Sequence, residues 1–324
     1  MYFFCLVKYR KFLLLSVDKL YNKTNHGIKE WKGMKATHKD WILFNGRIVN
    51  TKEEQPMVPL EERGFQFGDG IYEVFRLYDG KPHLLDLHLE RFFKSMREIN
   101  IVPPFTKEEL VEELHQMIER NQFQEDGNVY LQISRGAQAR NHVYEKDLQP
   151  TYFANIVLFP RPTATMEQGI KVTVEEDIRW KFCHIKSLNL LPNIMIKNKI
   201  NEQGYQEAIL VRDGVVTEGC HSNFFMVKND KLITHPADNF ILHGITRHYV
   251  ITLAKALHIE VEEREFSLQE VYEADECFFT ATPLEIFPVV QIGDEKFGSG
   301  ERGPITKKLQ AAYEESISLF KVTN

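Results

Sequence analysis

Cysteine is scarce in this sequence: four in 324 residues, at positions 5, 183, 220 and 277. No two stand in a CxxC pair, so no disulfide framework is indicated and a reducing cytoplasm is the expected compartment. Cys277, inside the apolar run ECFFTAT, reads as a buried structural thiol. The twelve histidines are scattered without metal-ligand spacing, and no metal is expected. An excess of positive charge is missing too. The net charge of −6 gives no general attraction to nucleic acid or to an anionic membrane. Long hydrophobic runs are also absent. The N-terminal MYFFCLVKYRKFLLLSV is broken by Lys8, Arg10 and Lys11, far short of the ~20 apolar residues that span a bilayer. It has neither the long apolar region nor the small-residue cleavage site of a signal peptide.

What is present is ordinary for a globular protein, with 43% hydrophobic and 27% charged residues. The length suits two domains. Residues 21–39 are polar and without period, which reads as disorder. Met34 is the expected true start, because Lys29-Glu30 can be encoded as a ribosome-binding sequence a few codons upstream. Residues 1–40 are therefore expected to be an N-terminal extension. From Trp41, WILFNGRIV and IYEVFRLYDGKPHLL read as hairpins turning at Asn45-Gly46 and Asp79-Gly80. Helices are expected over 86–99 and from Thr106, where Glu109 completes a capping box. The Pro- and Thr-rich PRPTATMEQG marks the best boundary. It divides a domain at 41–159 from one at 169–324, with a linker at 160–168. Beyond it come a strand, a helix ending at Gly204, hairpins at Asp-Gly and Asn-Asp turns, a helix from Ile245 and a final helix over 305–320. Hairpin-linked strands with interspersed helices predict an α+β fold.

Several stretches could carry chemistry, and each has an ordinary use. Lys186 stands in the apolar CHIKSLNLLPN, either as a solvated charge or as an amine held in a pocket. GFQFGDG lacks the Lys-Ser/Thr of a phosphate loop and reads as turns ahead of a strand. Glu218 in TEGCHSN could cap a turn, or hold a proton on a ring nitrogen. The amides of Ile245 and Thr246 open a helix and could bind an anion. Arg91, in HLERFFKSM on an amphipathic helix, reads as solvated. TATP, from Thr280 to Pro283, could donate hydroxyls or simply end a strand.

Together and in this order, IKSLN, HLERF, VVTEG followed by SN, GITR and FxTxT resemble the fold-type IV pyridoxal-phosphate enzymes. The resemblance runs from about Trp41 to the C-terminal helix. Within the class, RGFQFGDGIYEV, EDIRW, IKSLNLL, EAIL, VTEG and THPADNFIL are most similar to the D-amino-acid aminotransferases. It implies a two-domain α+β fold with pyridoxal 5′-phosphate at the domain interface. It further implies transfer of the amino group of D-alanine to 2-oxoglutarate, the substrates being small amino and 2-oxo acids. Lys186 matches the Schiff-base lysine that also shuttles a proton, its apolar neighbours keeping the amine desolvated. Glu218 matches the carboxylate facing the pyridine nitrogen. Arg91 matches the phosphate arginine, and the amides of Ile245 and Thr246 with the Thr282 hydroxyl match the rest of the phosphate cradle. Arg140 and His142 of ARNH, with Tyr72, match the group that binds the substrate α-carboxylate. In that family the arginine and histidine come from the neighbouring subunit, which implies a homodimer. This arrangement favours D-amino acids over the alternative, L-branched-chain ones. Two segments depart from the pattern: Cys220-His221-Ser222 replaces a serine run, and Ala281-Thr282-Pro283 a more hydroxyl-rich segment. They bear on fine specificity rather than on reaction class.

Overall fold

The structure, a computed structural model, describes residues 39–323; the expectations for the N-terminal extension as far as residue 38 lie outside them. Four two-residue turns set the strand pattern. Asn45-Gly46, Asp79-Gly80, Asp213-Gly214 and Asn229-Asp230 include both glycine and non-glycine residues, and at three of the four pairs φ is positive at a non-glycine and the following glycine; at the fourth it is positive at both polar residues. This is the type I′ geometry, which matches the natural twist of paired strands. The turns close hairpins between β1 (Trp41–Phe44) and β2 (Arg47–Asn50), and between β3 (Gly70–Tyr78) and β4 (Lys81–Pro82). They do the same between β8 (Glu207–Arg212) and β9 (Val215–Val216), and between β10 (Asn223–Lys228) and β11 (Lys231–Thr234).

With β5 (Gly127–Ser134) and β6 (Thr151–Leu158), the first four strands make a six-stranded sheet in the order β2-β1-β6-β5-β3-β4. All its pairings are antiparallel. The second sheet has nine strands and adds β7 (Ile170–Glu176), β12 (Val261–Glu263), β13 (Glu276–Ala281), β14 (Glu285–Ile292) and β15 (Glu295–Lys296). It mixes directions: β7 runs parallel to β8 and to β14, and β11 parallel to β12. Parallel neighbours need a crossover. A helix over Leu191–Glu202 supplies it between β7 and β8, and one over Ile245–Ala256 between β11 and β12. The α+β expectation holds.

In chain order the helices are α1 (Arg63–Phe67), α2 (Leu85–Glu98), α3 (Lys107–Arg120), α4 (Thr163–Gln168), α5 (Leu191–Glu202), α6 (Ile245–Ala256), α7 (Leu268–Tyr272) and α8 (Pro304–Thr323). The Thr106–Glu109 capping box forms in both directions at the start of α3. The glycine-rich GFQFGDG differs from its reading as a turn. It holds the short helix α1, which ends at Gly68 with φ +66°. Residues 160–168 include α4. Helix α7, capped by Ser267 and Glu270, is five residues long, too short to show a periodic apolar stripe in sequence.

The described residues belong to one compact unit, 36–324. Leu89, Phe92 and Met96 of α2 pack with Ile71 and Phe75 of β3 and with Leu131 and Ile133 of β5 in the core beside the first sheet. Ile185 joins that core from far along the chain. The segment after it is pinned to the start of β3: Tyr72 N donates to Lys186 O at 2.9 Å, and Leu188 N to Gly70 O at 3.0 Å. Gly70 leaves room for this approach, since a Cβ there would stand 2.6 Å from Ile133 O and 2.8 Å from Leu188 Cδ1.

Candidate active site

A cavity of about 450 Å³ opens beside this junction, and Lys186, Tyr72, Arg91, Glu218, Ile245, Thr246 and Thr282 all line it. The period of two along β3 sorts its side chains. Tyr72 and Val74 face the cavity, while Ile71 and Phe75 enter the core. Lys186 is half-buried, and its Nζ lies over the Tyr72 ring, 4.3 Å from the centroid. No carboxylate or carbonyl partners that amine among the described residues. Its backbone is fixed by β3 and by the Ser95 hydroxyl, which accepts from Lys186 N at 3.3 Å.

Arg91 is not solvated. It is buried, because Glu73 behind it is fully buried and takes its guanidinium in a fork, Nε to Oε2 at 2.9 Å and Nη2 to Oε1 at 2.6 Å. Nη1 donates to His243 O at 3.1 Å. His88 Nδ1 meets Glu73 Oε1 at 3.0 Å. Burial pushes the Glu73 carboxyl up, but Arg91 and His88 outweigh it and hold it well below the carboxylate range. Burial also holds the His88 imidazole toward its neutral form against Glu73. Arg91, whose effect on Glu73 is the larger of the two, is the main opposing charge. Next to Arg91 in the cavity wall, α6 begins at Gly244 without a side-chain cap. A Cβ at Gly244 would fall 2.0 Å from Asn223 Oδ1. Thr280 Oγ1, also in this wall, is buried with no partner among the described residues.

Glu218 is 4% exposed and does not cap its own turn. It accepts from Asn223 Nδ2 at 2.8 Å, from Leu242 N at 3.1–3.2 Å, and from Arg179 Nη1. Asn223 Nδ2 also donates to Leu242 O at 2.8 Å, which ties Glu218 to the approach to α6. Arg179 is shared: its Nε and Nη2 donate to the two oxygens of Asp177 at 2.8 and 2.9 Å. Burial pushes the Glu218 carboxyl up to about 7, because the single arginine that opposes burial is divided between two carboxylates. Burial likewise pushes up the thiols of Cys183 and Cys220 in the cavity wall, so neither is a ready nucleophile.

Residue types with these environments fit pyridoxal phosphate. An orphaned hydroxyl, an arginine and an uncapped helix start suit a phosphate. A buried carboxylate suits a pyridine nitrogen, and an unpaired amine suits the aldehyde carbon. Glu73, Arg179 and Asn223 are site residues that sequence reasoning did not assign. Arg179 lies within EDIRW and Asn223 within the quoted SN; Asn223 meets Glu218 five residues away, but Glu73 and Arg91 are 18 residues apart and Arg179 and Glu218 39.

Arg140 and His142 are not brought to this cavity. Both are exposed, as is every residue from 139 to 147. Arg140 lies over the Phe67 ring, 4.4 Å from its centroid, and the His142 ring is 5.5 Å from the same ring. Arg63 holds the segment by donating to Asn141 O at 2.6 Å and His142 O at 3.3 Å.

Residues 70–292 match the family model for class IV amino-transferases. A D-alanine aminotransferase of Bacillus licheniformis is 42% identical over 276 residues, 85% of this chain and 96% of the relative. One from Listeria monocytogenes is 44% identical, with 85% and 96% covered. Among solved structures, the branched-chain amino acid aminotransferase of Escherichia coli is similar with a TM-score of 0.80 and 27% identity, covering 86% of this chain and 94% of that one. A chain with this cavity and these relatives belongs to the class IV aminotransferases, the fold-type IV pyridoxal-phosphate enzymes.

Proposed function

We propose that this protein transfers amino groups between D-amino acids and 2-oxo acids, with D-alanine and 2-oxoglutarate giving pyruvate and D-glutamate. The observation that carries the reading is the one cavity holding the Lys186 amine, the Arg91–α6 anion site and the buried Glu218. The identity to D-alanine aminotransferases favours the D-series. The likeness to a branched-chain enzyme is lower in identity and supports the alternative, L-branched-chain substrates, less well.

Bound pyridoxal phosphate supplies the electron sink for the pair released when the substrate Cα–H bond breaks. Arg91, the amides of Ile245 and Thr246, and the Thr282 hydroxyl would hold its phosphate. Glu73 keeps Arg91 from swinging away, by a fork of two hydrogen bonds. Glu218 would hold the proton at the ring nitrogen. Lys186 Nζ would take the proton from substrate Cα and deliver it to the cofactor carbon C4′ that bore the aldehyde. Tyr72, on which that amine rests, lines the substrate's side of the cavity.

Arg140 and His142 bind the substrate α-carboxylate across a homodimer interface in this reading. Exposed Leu60 (72%), Phe65 (77%) and Val143 (74%) border the same loops, an apolar surface suited to a partner copy. The two sheets are read as two domains joined by residues 160–168, and the compartment as cytoplasm. No helix among the described residues is long and apolar enough to cross a membrane.

The test is initial rates for D- and L-alanine against 2-oxoglutarate, with Lys186→Ala as control. Turnover of D-alanine that is lost in Lys186→Ala is expected; preference for L-valine or L-leucine overturns the reading in favour of the branched-chain one. Arg140→Ala removes one partner of a desolvated charge pair, worth ~2–5 kcal/mol, and should lower kcat/KM by roughly thirty- to several-thousand-fold. Sedimentation of the wild type as a monomer would exclude the shared site.

A further inference from the structure

The cavity has a polar corner to which the reading above gives no task. Glu207, the first residue of β8, is 0% exposed, yet its carboxylate is fully engaged. Oε1 accepts from Ala208 N and Cys220 N, both at 2.9 Å. Oε2 accepts from Ser222 Oγ at 2.9 Å and lies 2.8 Å from His221 Nδ1. Burial works against the charge of Glu207, but His221 and Lys197 outweigh it and hold the carboxyl well below its usual range. Asn193 Nδ2 donates to Cys220 O at 2.7 Å and fixes the same loop to α5.

His221 reaches from its partner into the cavity wall. Its side chain is 45% exposed and lines the cavity, together with Lys197 and Asn193. Bonding of Nδ1 to Glu207 sets the ring orientation, and in the imidazolium form, whose charge that carboxylate faces, Nε2–H is the donor left open to a ligand. Lys197 spends one ammonium proton on Gln206 O and keeps two more. A cavity wall with two nitrogen donors, backed by a buried and already satisfied carboxylate, is suited to an anion. The nearby lining of Trp180, Leu190 and Ile194 is mainly apolar and offers a second anion nothing comparable.

We propose that His221 and Lys197 form the subsite for the second carboxylate of acidic substrates, the side-chain carboxylate of D-glutamate and of 2-oxoglutarate, with Glu207 as the positioning residue that fixes the imidazole. This rests on the aminotransferase reading above and adds the residues by which dicarboxylates are selected over short monocarboxylates at this corner. Small side chains such as that of alanine do not carry a group for it to bind.

The test compares kcat/KM for 2-oxoglutarate and 2-oxobutyrate, each with D-alanine as donor, in cofactor-loaded wild type, His221→Gln and Lys197→Met. The new amino acid is measured by chiral chromatography. Gln at 221 can still donate to Glu207, so the buried carboxylate keeps a partner. Lys197→Met provides an independent reading if the first variant does not fold. Loss of a hydrogen bond to a charged group should reduce the ratio of the two kcat/KM values, dicarboxylate over monocarboxylate, roughly ten- to a hundredfold in His221→Gln and by a smaller factor in Lys197→Met. A ratio within twofold of wild type in both variants, with D-alanine still turned over, overturns the subsite alone and leaves His221 as the counter-charge of Glu207. Absence of turnover with any D-amino acid in the wild type overturns the aminotransferase reading and the subsite with it.

Discussion

Glu73 and Glu218 are both buried glutamates held by an arginine in or beside one cavity, and their charges behave in opposite ways. Glu73 has Arg91 in a two-pronged contact, with Val74 N at 2.8 Å as a further donor, and its carboxyl is held well below the usual range. Glu218 has one prong of Arg179, whose other donors go to Asp177, and its carboxyl is raised to about 7. Burial is nearly complete in both, so depth does not separate them. The charges around them do: Glu73 has the fork of Arg91 with His88 beside it, whereas Glu218 shares Arg179 with the like charge of Asp177. A carboxylate with an arginine to itself is a fixed charge, fit to orient that arginine. A carboxyl that competes for its arginine has an adjustable charge, fit to follow the protonation of whatever faces it.

The largest effect should come from breaking the fixed cluster. Arg91→Ala leaves Glu73 buried without its counter-charge, and removing one partner of a buried pair costs about 3–5 kcal/mol. Chemical denaturation of the cofactor-free protein reads this without contribution from cofactor loss. Glu73→Gln in the same chain should recover much of the stability, whereas Arg91→Lys should recover less, because it lacks the planar fork. A loss below about 1 kcal/mol in Arg91→Ala would mean that water reaches Glu73 and that its charge is not fixed by the arginine.

Next in size is the pH dependence of the cofactor-free protein, where the two glutamates have opposite signs. The folded carboxyl of Glu218 sits at about 7 against an ordinary 4.5, so the folded state binds more protons than the unfolded one between those values. Its contribution is fully present below about 4.5 and is lost as pH rises through 7, up to about 3 kcal/mol at 1.36 kcal/mol per pH unit. Glu73 is depressed, so its contribution is present above the unfolded value and is lost as pH falls below it. Denaturation midpoints of wild type and Glu218→Gln at pH 5 and 7.5 should show the loss in the wild type alone. Equal slopes would place the adjustable charge elsewhere.

The two clusters also mark how far the sequence could be read. Turns such as Asn45-Gly46 and the Thr106–Glu109 box are legible because each depends on neighbours within four residues. Lys186, Arg91 and Glu218 come from the ordered resemblance and not from local pattern, since a buried arginine on α2 has the same helical spacing as a solvated one. What buries it is Glu73, brought from β3 by the packing of α2 on that strand. The Arg179–Glu218 contact likewise needs residues 39 apart to meet, and no local pattern encodes it. Arg140 and His142 show a further limit: their own chain leaves them exposed on Phe67 and outside the cavity, so the role proposed for them rests on the resemblance alone.

The smallest and sharpest test is Asp177→Asn, which returns Arg179 to Glu218 without touching either. Asp177 accepts Arg179 Nε and Nη2 as well as Thr217 Oγ1 at 2.9 Å, and its negative charge raises the Glu218 carboxyl. Asparagine keeps the shape and an acceptor oxygen but removes that charge. Arg212, which lies 3.1 Å from Asp177 Oδ1, loses that counter-charge but keeps its hydrogen bond to the carbonyl of Arg179 at 2.8 Å. With one carboxylate gone, the guanidinium's attraction acts on Glu218 alone. A single charge at this range shifts a carboxyl by roughly one pH unit or more, worth about 1.4 kcal/mol per unit. The stability loss of the cofactor-free protein should then still begin near the unfolded value of 4.5 but end about one pH unit lower than in the wild type, and be smaller by about 1.4 kcal/mol. An unchanged upper end and size of the loss would trace the raised carboxyl to burial alone, and the division of Arg179 would no longer account for the difference between Glu218 and Glu73.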